Sequence, residues 1–388
     1  MDSEQNFLPL SIYCHIPFCR HRCAYCDFNT YTGLTDLKEG YVLALGREIS
    51  QVGLSRPVHT LFFGGGTPSL IAPAGYNHLL STIRHHFQLL ATAEITMEAN
   101  PGTVDLAYLQ QIRQLGFNRL SFGLQSANQS ELALLEREHS FETVVQAVAM
   151  ARQAGFDNIN LDLIYGLPGQ PLSAWQASLE AALSLKPEHL SLYCLTIEPG
   201  TPMARWLRNG RIQPPDPDLA AEQYDLACQL LGEQDFVHYE ISNWALPGRE
   251  CQHNLTYWRN EEYLGLGAGA HGQAAGYRYE VVKQPRVYIR RLSGRDTAHY
   301  PLSTAVAHKQ LTSHQEAITD TLITQLRLLQ EGLNLTHFAN RFGQTLADRY
   351  GDTLKQLFDW GLLEQKGERL LLSRPGWFLS NQVFYRFL

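Results

Sequence analysis

Short apolar runs alternate with amphipathic stretches over the first two hundred residues of this chain. The runs Ser11–Pro17, Thr60–Phe63, Glu94–Glu98, Arg119–Gly123, Asn158–Ile164 and Leu190–Ile197 are rich in Ile, Leu, Phe and Tyr. Such runs suit short parallel strands buried on both faces. Between them, Leu79, Ile83 and Phe87 recur at every fourth position, the spacing of one helix face. Ser140 is placed to cap a helix in which Val144, Val145, Val148 and Ala151 share a face, and Gly155 to close it. Two helix exits echo each other: Gly116-Phe117-Asn118 and Gly155-Phe156-Asp157 each lead into a strand. Repeated strand–helix units predict an α/β fold with a parallel sheet and right-handed crossovers. Six units predict an open, partial (β/α)6 barrel; a doubly wound sheet is the competing arrangement, and periodicity does not choose between them. In either, ligands bind at the C-terminal ends of the strands.

A Pro- and Asp-rich stretch from Gln213 to Asp218 breaks this pattern. Aromatic and Gly-rich loops follow, and from about Thr312 the pattern turns helical, with Leu322, Leu326 and Leu329 on one face. Gly361–Leu372 reads as a small hairpin. The expected domains are therefore a barrel over 1–212, an extension over 213–305, and a small, mostly helical, winged-helix-like unit over 306–388. Glu316, Asp320, Asp348, Asp352 and Asp359 dilute the basic residues of that last unit, which favours packing or partner docking over DNA binding.

Composition narrows the class. With 388 residues, 44% hydrophobic and 18% charged, the chain is an ordinary globular one of about two domains and an appendage. A net charge of −7 and a pI of about 6.1 lack the basic footprint of a nucleic-acid binder. No apolar run approaches the roughly 20 residues of a membrane span. Met1–Leu10 carries Asp2 and Glu4 before any basic residue, unlike a secretory or mitochondrial leader. The expected location is the cytoplasm, in a bacterium.

The cysteines change the picture most. They stand at 14, 19, 23, 26, 194, 228 and 251, an odd number with four close together. Clustered thiols in a chain this long read as metal or cluster ligands rather than disulfides. Cys19, Cys23 and Cys26 have the spacing C-x3-C-x2-C just after the first strand, so one loop can wrap a cubane and bring three thiolates to three irons. A zinc site is the alternative, with His15 or His21 completing the set. Cys14 lies inside the strand, as a packed thiol or a stand-in ligand. Gly64-Gly65-Gly66-Thr67-Pro68 follows the second strand, where backbone could approach a ligand closely or simply turn tightly. Glu98 ends the third strand and is a site carboxylate or half of a salt bridge. Asp162 sits in an apolar strand, where an unpartnered carboxylate would be costly.

This three-cysteine motif, with Tyr25 before the last thiol, resembles the signature of the radical S-adenosylmethionine superfamily. Tyr13-Cys14-His15-Ile16-Pro17-Phe18-Cys19 resembles the Y-x-H-I-P-[FW]-C entry of its oxygen-independent coproporphyrinogen III oxidase-like group. The likeness runs in order through the remaining strands and covers essentially the whole chain. It implies a [4Fe–4S] cluster on Cys19, Cys23 and Cys26, with S-adenosylmethionine at the open iron. It further implies a cofactor pocket of Tyr13, Tyr25, the GGTP-type residues Gly65, Gly66 and Thr67, Glu98, Gln125, Arg137 and Asp162. Gln125 lies in Arg119-Leu120-Ser121-Phe122-Gly123-Leu124-Gln125-Ser126, similar to R-x-S-x-G-x-Q-S, and Asp162 in a D-L-I-Y-G-L-P-like segment suited to ribose hydroxyls. Arg137 falls where the family has a basic residue for the methionine carboxylate.

Two features separate an oxidase from a haem carrier in this group. The oxidases have a further cysteine, C-x3-C-x2-C-x-C, and a longer N-terminal extension; here Cys26-Asp27-Phe28 has no such cysteine. His253-Asn254-Leu255-Thr256-Tyr257-Trp258 is similar to the H-N-x-x-Y-W haem segment of the HemW-type chaperones. Read without the family, His253 is a hydrogen-bonded structural histidine; an imidazole also ligates haem iron, and Cys251 is an alternative axial thiolate. The resemblance implies a haem chaperone, not an enzyme, in which the cluster and S-adenosylmethionine control transfer or oligomerisation. Its implied partners are haem-accepting proteins, including respiratory haemoproteins at the membrane, and a second copy in a homodimer. The alternative is a radical oxidase or decarboxylase acting on coproporphyrinogen III or a related tetrapyrrole; a redox or DNA-binding regulator ranks third. Cys14 and Cys194 depart from the family pattern.

Overall fold

Strands buried on both faces form the centre of the molecule. In the first strand, β1 (Leu10–Ile16), Leu10, Ile12, Cys14 and Ile16 are all 0% exposed on one face. Ser11, Tyr13 and His15 occupy the other face. Five further parallel strands follow: β2 (Pro57–Gly65), β3 (Gln88–Ala99), β4 (Arg119–Gln125), β5 (Ile159–Tyr165) and β6 (His189–Cys194). The computed structural model, which describes residues 9–294 and 298–388, pairs them in sequence order from β1 to β6. Helices α1 (Lys38–Gln51), α2 (Pro73–His86), α3 (Leu106–Leu115), α4 (Gln129–Leu134), α5 (Phe141–Gln153) and α6 (Leu172–Ser184) fill the crossovers.

That order decides what periodicity left open. A doubly wound sheet reverses direction at a switch point, whereas right-handed crossovers that never reverse lay all the helices on one side. The expected α/β partial barrel is what forms. Leu79 and Ile83 of α2 are fully buried, and Ser140 caps α5 by accepting from Thr143 N–H in a capping box. Gly116 (φ +112°) and Gly155 (φ +91°) adopt the left-handed turn out of α3 and α5. Beyond β1 the sheet continues through strand Tyr263–Leu266, parallel to β1, and then antiparallel strands His271–Ala274, Tyr277–Val281 and Val306–Leu311.

The chain divides into two compact units: the described residues of 1–227 with 262–311, and 228–261 with 312–388. The second unit holds the hairpin Val237–Glu240 and Asn243–Ala245, helix Gln252–Trp258, and helices His314–Gln325, Leu335–Phe342 and Leu346–Asp359. A three-stranded sheet, Leu333–Asn334, Arg369–Leu372 and Leu363–Lys366, completes it. Leu322, Leu326 and Leu329 all enter its core, with Ile318, Phe338 and Val383. These two units cut the chain differently from three consecutive sequence segments, because the stretch around His253 packs forward. Leu255 lies against Tyr239, Ala245 and Leu328, Asn260 Nδ2 donates to Thr321 Oγ1 at 3.0 Å, and Arg259 grips Glu331 through two bonds of 3.0 and 2.6 Å. Among the described residues, no helix is long and apolar enough to cross a membrane.

Candidate cofactor site

The cysteine loop leaves β1 and is closed on itself by main-chain bonds. Tyr31 N–H donates to Pro17 O at 2.7 Å, Cys19 N–H to Tyr31 O at 3.0 Å, and Cys26 N–H to Cys23 O at 3.2 Å. Cys19, Cys23 and Cys26 are all half-buried. Burial pushes the thiols of Cys19 and Cys26 up, and hydrogen bonds from Thr67 and the Phe28 backbone pull against it. Thr67 Oγ1 donates to Cys19 Sγ at 3.6 Å and Arg137 Nη1 to Cys23 Sγ at 3.5 Å. Donors aimed at sulfur favour thiolate, the form that ligates iron. Cys14 stands apart. It is 0% exposed on the opposite face of β1 from Tyr13 and His15, and burial followed by the charge of Glu48 pushes its thiol up.

The glycine triplet after β2 does more than turn. Gly66 N–H donates to Ile16 O and Thr67 N–H to Phe18 O, both at 2.8 Å, so this segment lies flat against the start of the cysteine loop. A Cβ on Gly66 would sit 2.7 Å from Phe18 O and 2.9 Å from Ile16 O. Gly65 has φ +111°, and a Cβ there would be 2.3 Å from the His15 ring. Its N–H donates to Glu98 Oε2 at 2.9 Å, tying the triplet to the end of β3. His15 Nε2 donates to Asn29 O at 2.9 Å, which leaves Nδ1 to accept from the Tyr13 hydroxyl at 2.9 Å. Asn29 reaches in turn to Ala268 O and Lys283 O at 2.9 and 3.0 Å, anchoring the loop to a segment far away in sequence.

Two carboxylates and one arginine complete the cleft. Asp162 on β5 accepts from Ser121 Oγ and Asn160 Nδ2, each at 2.8 Å, and Asn160 is itself held by His189 at 2.6 Å and Ser191 at 3.1 Å. Burial raises Asp162, against those hydrogen bonds and the charge of Arg119. Glu98 is pushed up to about 7, first by burial and then by the charge of Asp162. Gln125 ends β4 with φ +66°, a conformation uncommon outside glycine, and a Cβ on Gly123 would be 2.9 Å from its Nε2. Arg137 donates through Nη2 to Gly123 O at 3.0 Å and to Asn100 Oδ1 at 3.4 Å. Its Nε is buried without a hydrogen-bond partner among the described residues. Tyr25 lies beside Arg137; burial raises its phenol, and the guanidinium opposes that.

Tyr13 and Asp162 lie midway along β1 and β5, while the three loop cysteines, Tyr25, Gly65, Gly66, Thr67, Glu98, Gln125 and Arg137 lie at or beyond the C-terminal ends of β1 to β4. A molecule carrying a cationic amine, a carboxylate and hydroxyl groups matches this donor and acceptor set. The unpartnered Arg137 Nε is the donor such a carboxylate would satisfy. Sequence reasoning passed over Asn29, Asn100, Ser121, Asn160, Ser191 and His139, whose Nε2 donates to Leu124 O at 3.1 Å and steadies the residue before Gln125. Ser121, Asn160 and Ser191 carried a signal, as polar positions inside apolar strands. Asn29 carried none, because the carbonyls its Nδ2 donates to lie more than two hundred residues away.

His253 belongs to the second unit. It is 0% exposed in helix Gln252–Trp258, with Nε2 2.8 Å from the Tyr257 hydroxyl and the two rings edge to face. Cys251 is buried just ahead of the helix.

A family model of the radical SAM superfamily matches residues 13–182, and one of the HemN C-terminal domain matches residues 312–379. A protein named heme chaperone HemW from Mycobacterium tuberculosis (strain ATCC 25618 / H37Rv) is 37% identical over 381 residues, 97% of this chain and 94% of that one. The protein of the same name from Bacillus subtilis (strain 168) is 36% identical over 383 residues, 97% of this chain and 99% of its own. Among solved structures, coproporphyrinogen III oxidase (HemN) from Escherichia coli, described as a radical SAM enzyme, superposes with a TM-score of 0.84. It is 25% identical, and the match covers 98% of this chain and 90% of that one.

Proposed function

This chain belongs to the HemW family of the radical SAM superfamily, and from that membership we propose that it binds haem and passes it to haem-accepting proteins, respiratory haemoproteins at the membrane among them. The observation that carries this reading is the extent of the likeness, which runs nearly end to end in relatives named for that role. A [4Fe–4S] cluster is assigned to Cys19, Cys23 and Cys26, and S-adenosylmethionine to the adjoining cleft. Arg137 takes the cofactor's carboxylate, while Gly65, Gly66, Thr67 and Glu98 take its amino group. Asp162 takes the ribose hydroxyls, and Tyr13, Tyr25 and Gln125 line the remaining walls. When bound, the cluster supplies one iron without a protein ligand, open to the cofactor. The residues of this chain hold three thiolates, exclude water with Tyr13 and Tyr25, and keep two carboxylates within reach of the Arg119 charge.

Glu98 makes the cofactor assignment testable by pH. A cationic amine favours the ionised carboxylate, so affinity is present above about pH 7 and falls by about tenfold per pH unit below it. Without ligand the sign reverses. A carboxyl raised above its ordinary value contributes stability below that value, and the contribution is lost as pH rises toward 7. Calorimetric titration with S-adenosylmethionine should show the wild-type slope and a flat profile for Glu98→Gln. Equal profiles would remove Glu98 from the amine site.

The haem assignment is tested by anaerobic reconstitution, haem titration and assay with coproporphyrinogen III. Ligation through His253 Nε2 has to replace its bond to Tyr257, so His253→Ala should weaken haem about tenfold, the loss of one iron ligand offset in part by that released bond. Stoichiometric haem binding with no protoporphyrinogen formed supports the chaperone. Vinyl-group formation with no stable haem complex overturns it in favour of the oxidase, the activity named for the structural relative.

A further inference from the structure

The C-terminal unit contains a cavity of about 260 Å³ whose walls include Trp258, Ile323, Arg327, Phe384, Tyr385 and Leu388. Nothing in the cofactor site uses it. Its lining is mostly apolar, and its rim presents the ring of Tyr385, 69% exposed, and the side chain of Leu388, 75% exposed. Among the described residues, Arg327 is the one charged side chain in this wall, whose polar side chains also include Thr324 and Asn381. The Arg327 guanidinium lies 4.3 Å from the centre of the Trp258 ring, a cation–π arrangement that holds it in place.

That guanidinium is only partly matched. Arg327 Nη2 is 3.6 Å from Glu240 Oε2, beyond ordinary hydrogen-bond length. Arg327 Nε and Trp258 Nε1 are both buried without a hydrogen-bond partner among the described residues. Buried donors without acceptors are rare, and each costs roughly 1–3 kcal/mol. An apolar cavity with an under-matched guanidinium in its wall suits a flat apolar body that carries a carboxylate. The volume admits one edge of a macrocycle, not the whole of it.

Trp258 and His253 share one short helix but not one face. Five positions separate them, about 140° around the helix axis. His253 is fully buried, whereas Trp258 lines the cavity. The accessible part of this segment is therefore the tryptophan side.

We propose that the cavity between Trp258 and the last residues of the chain seats a propionate edge of the porphyrin, with Arg327 as counter-ion, independently of iron ligation by His253. The assignment rests on the haem-carrier reading and adds to it an anchor for the organic ring. Arg327 meets the carboxylate, and Ile323, Phe384, Tyr385 and Leu388 cover the pyrrole that bears it. Recognition at this anchor needs no iron.

Metal-free protoporphyrin IX and its dimethyl ester, titrated into full-length protein by fluorescence, test this directly. Wild-type protein should prefer the diacid by about tenfold, the effect of one partly buried charge-assisted pair. Arg327→Gln should abolish that preference, Arg327→Lys restore part of it, and His253→Ala leave it unchanged. Dodecanoate, a carboxylate on a flexible chain, should not displace the porphyrin at equal concentration; if it does, the cavity is a fatty-acid site and the proposal fails. The proposal also fails if wild-type protein binds diacid and diester equally, a comparison that needs no variant to fold. Haem binding that survives Arg327→Gln at full strength overturns the anchor and leaves the chaperone reading standing. Wild-type protein that binds no haem overturns both.

Discussion

Replacing Cys23 by serine is expected to strip the cofactor site, while replacing Cys14, nine residues upstream, is expected to leave it loaded. Both carry thiols close to the same loop, yet their surroundings are opposite. Cys23 is half-buried and receives a hydrogen bond from Arg137 at 3.5 Å, the residue that also holds Gly123 and reaches Asn100. Cys14 is enclosed on the other face of β1, where burial and Glu48 both favour the protonated thiol. A serine hydroxyl is a harder and far less acidic ligand than a thiol, so iron is held poorly at position 23. Cluster affinity should drop by more than about 100-fold, beyond the loss typical of outer-shell changes. S-adenosylmethionine binding should drop with it, since Arg137 also loses its sulfur partner. Iron and sulfide content after anaerobic reconstitution, with circular dichroism as a check on folding, distinguishes the two variants. Full loading of Cys23→Ser, or loss of loading in Cys14→Ser, reverses the assignment of the thiols.

The second large effect comes from one methyl group. In Gly66→Ala the new Cβ meets two backbone oxygens, Phe18 O at 2.7 Å and Ile16 O at 2.9 Å, rather than the free end of a side chain. Backbone at the end of the β1–β2 pair cannot step aside without breaking the bonds from Gly66 and Thr67 that hold the cysteine loop down. Overpacking of this kind costs roughly 1–3 kcal/mol, and here it falls on the segment that sets Cys19. Gly102→Ala is the matched control, because nothing lies within 4 Å of a Cβ there. Thermal melts should show a clear loss for Gly66→Ala and none beyond about 0.5 kcal/mol for Gly102→Ala. Cluster loading should fall only in the first. Equal melts and equal loading would mean that the loop does not depend on this contact.

Much of the site was legible because its signals are local. The spacing of Cys19, Cys23 and Cys26 is set by what one loop can wrap, and the strand positions Glu98, Gln125 and Asp162 were marked by charge or amide in apolar surroundings. The triplet Gly64–Gly66 showed only that backbone is close to something. That this something is the loop at Ile16 and Phe18, as well as Glu98, depends on the parallel register of β1 and β2. The direction of Cys14 likewise waited on β1, since alternation along a strand gives two opposed faces without saying which one looks into the cleft. Composition alone groups the segment around His253 with the barrel, because compositional breaks report linkers and not where a helix later packs. Its bonds to Thr321 and Glu331 are long-range and leave no local trace.

The sequence by itself determined the number of parallel strand–helix units and the three-cysteine spacing, and it marked most of the residues assigned to the cofactor cleft. Periodicity, cap chemistry and motif spacing act over a few residues, where chain connectivity limits the alternatives. Tertiary structure alone decided that strand order never reverses, that Glu98 is pressed toward neutrality by burial and Asp162, and that Arg137 keeps an unspent donor beside Cys23. It also set Trp258 beside Arg327 in a cavity of its own. Each of these depends on desolvation or on charges brought together from distant segments, which exist only once the chain has packed.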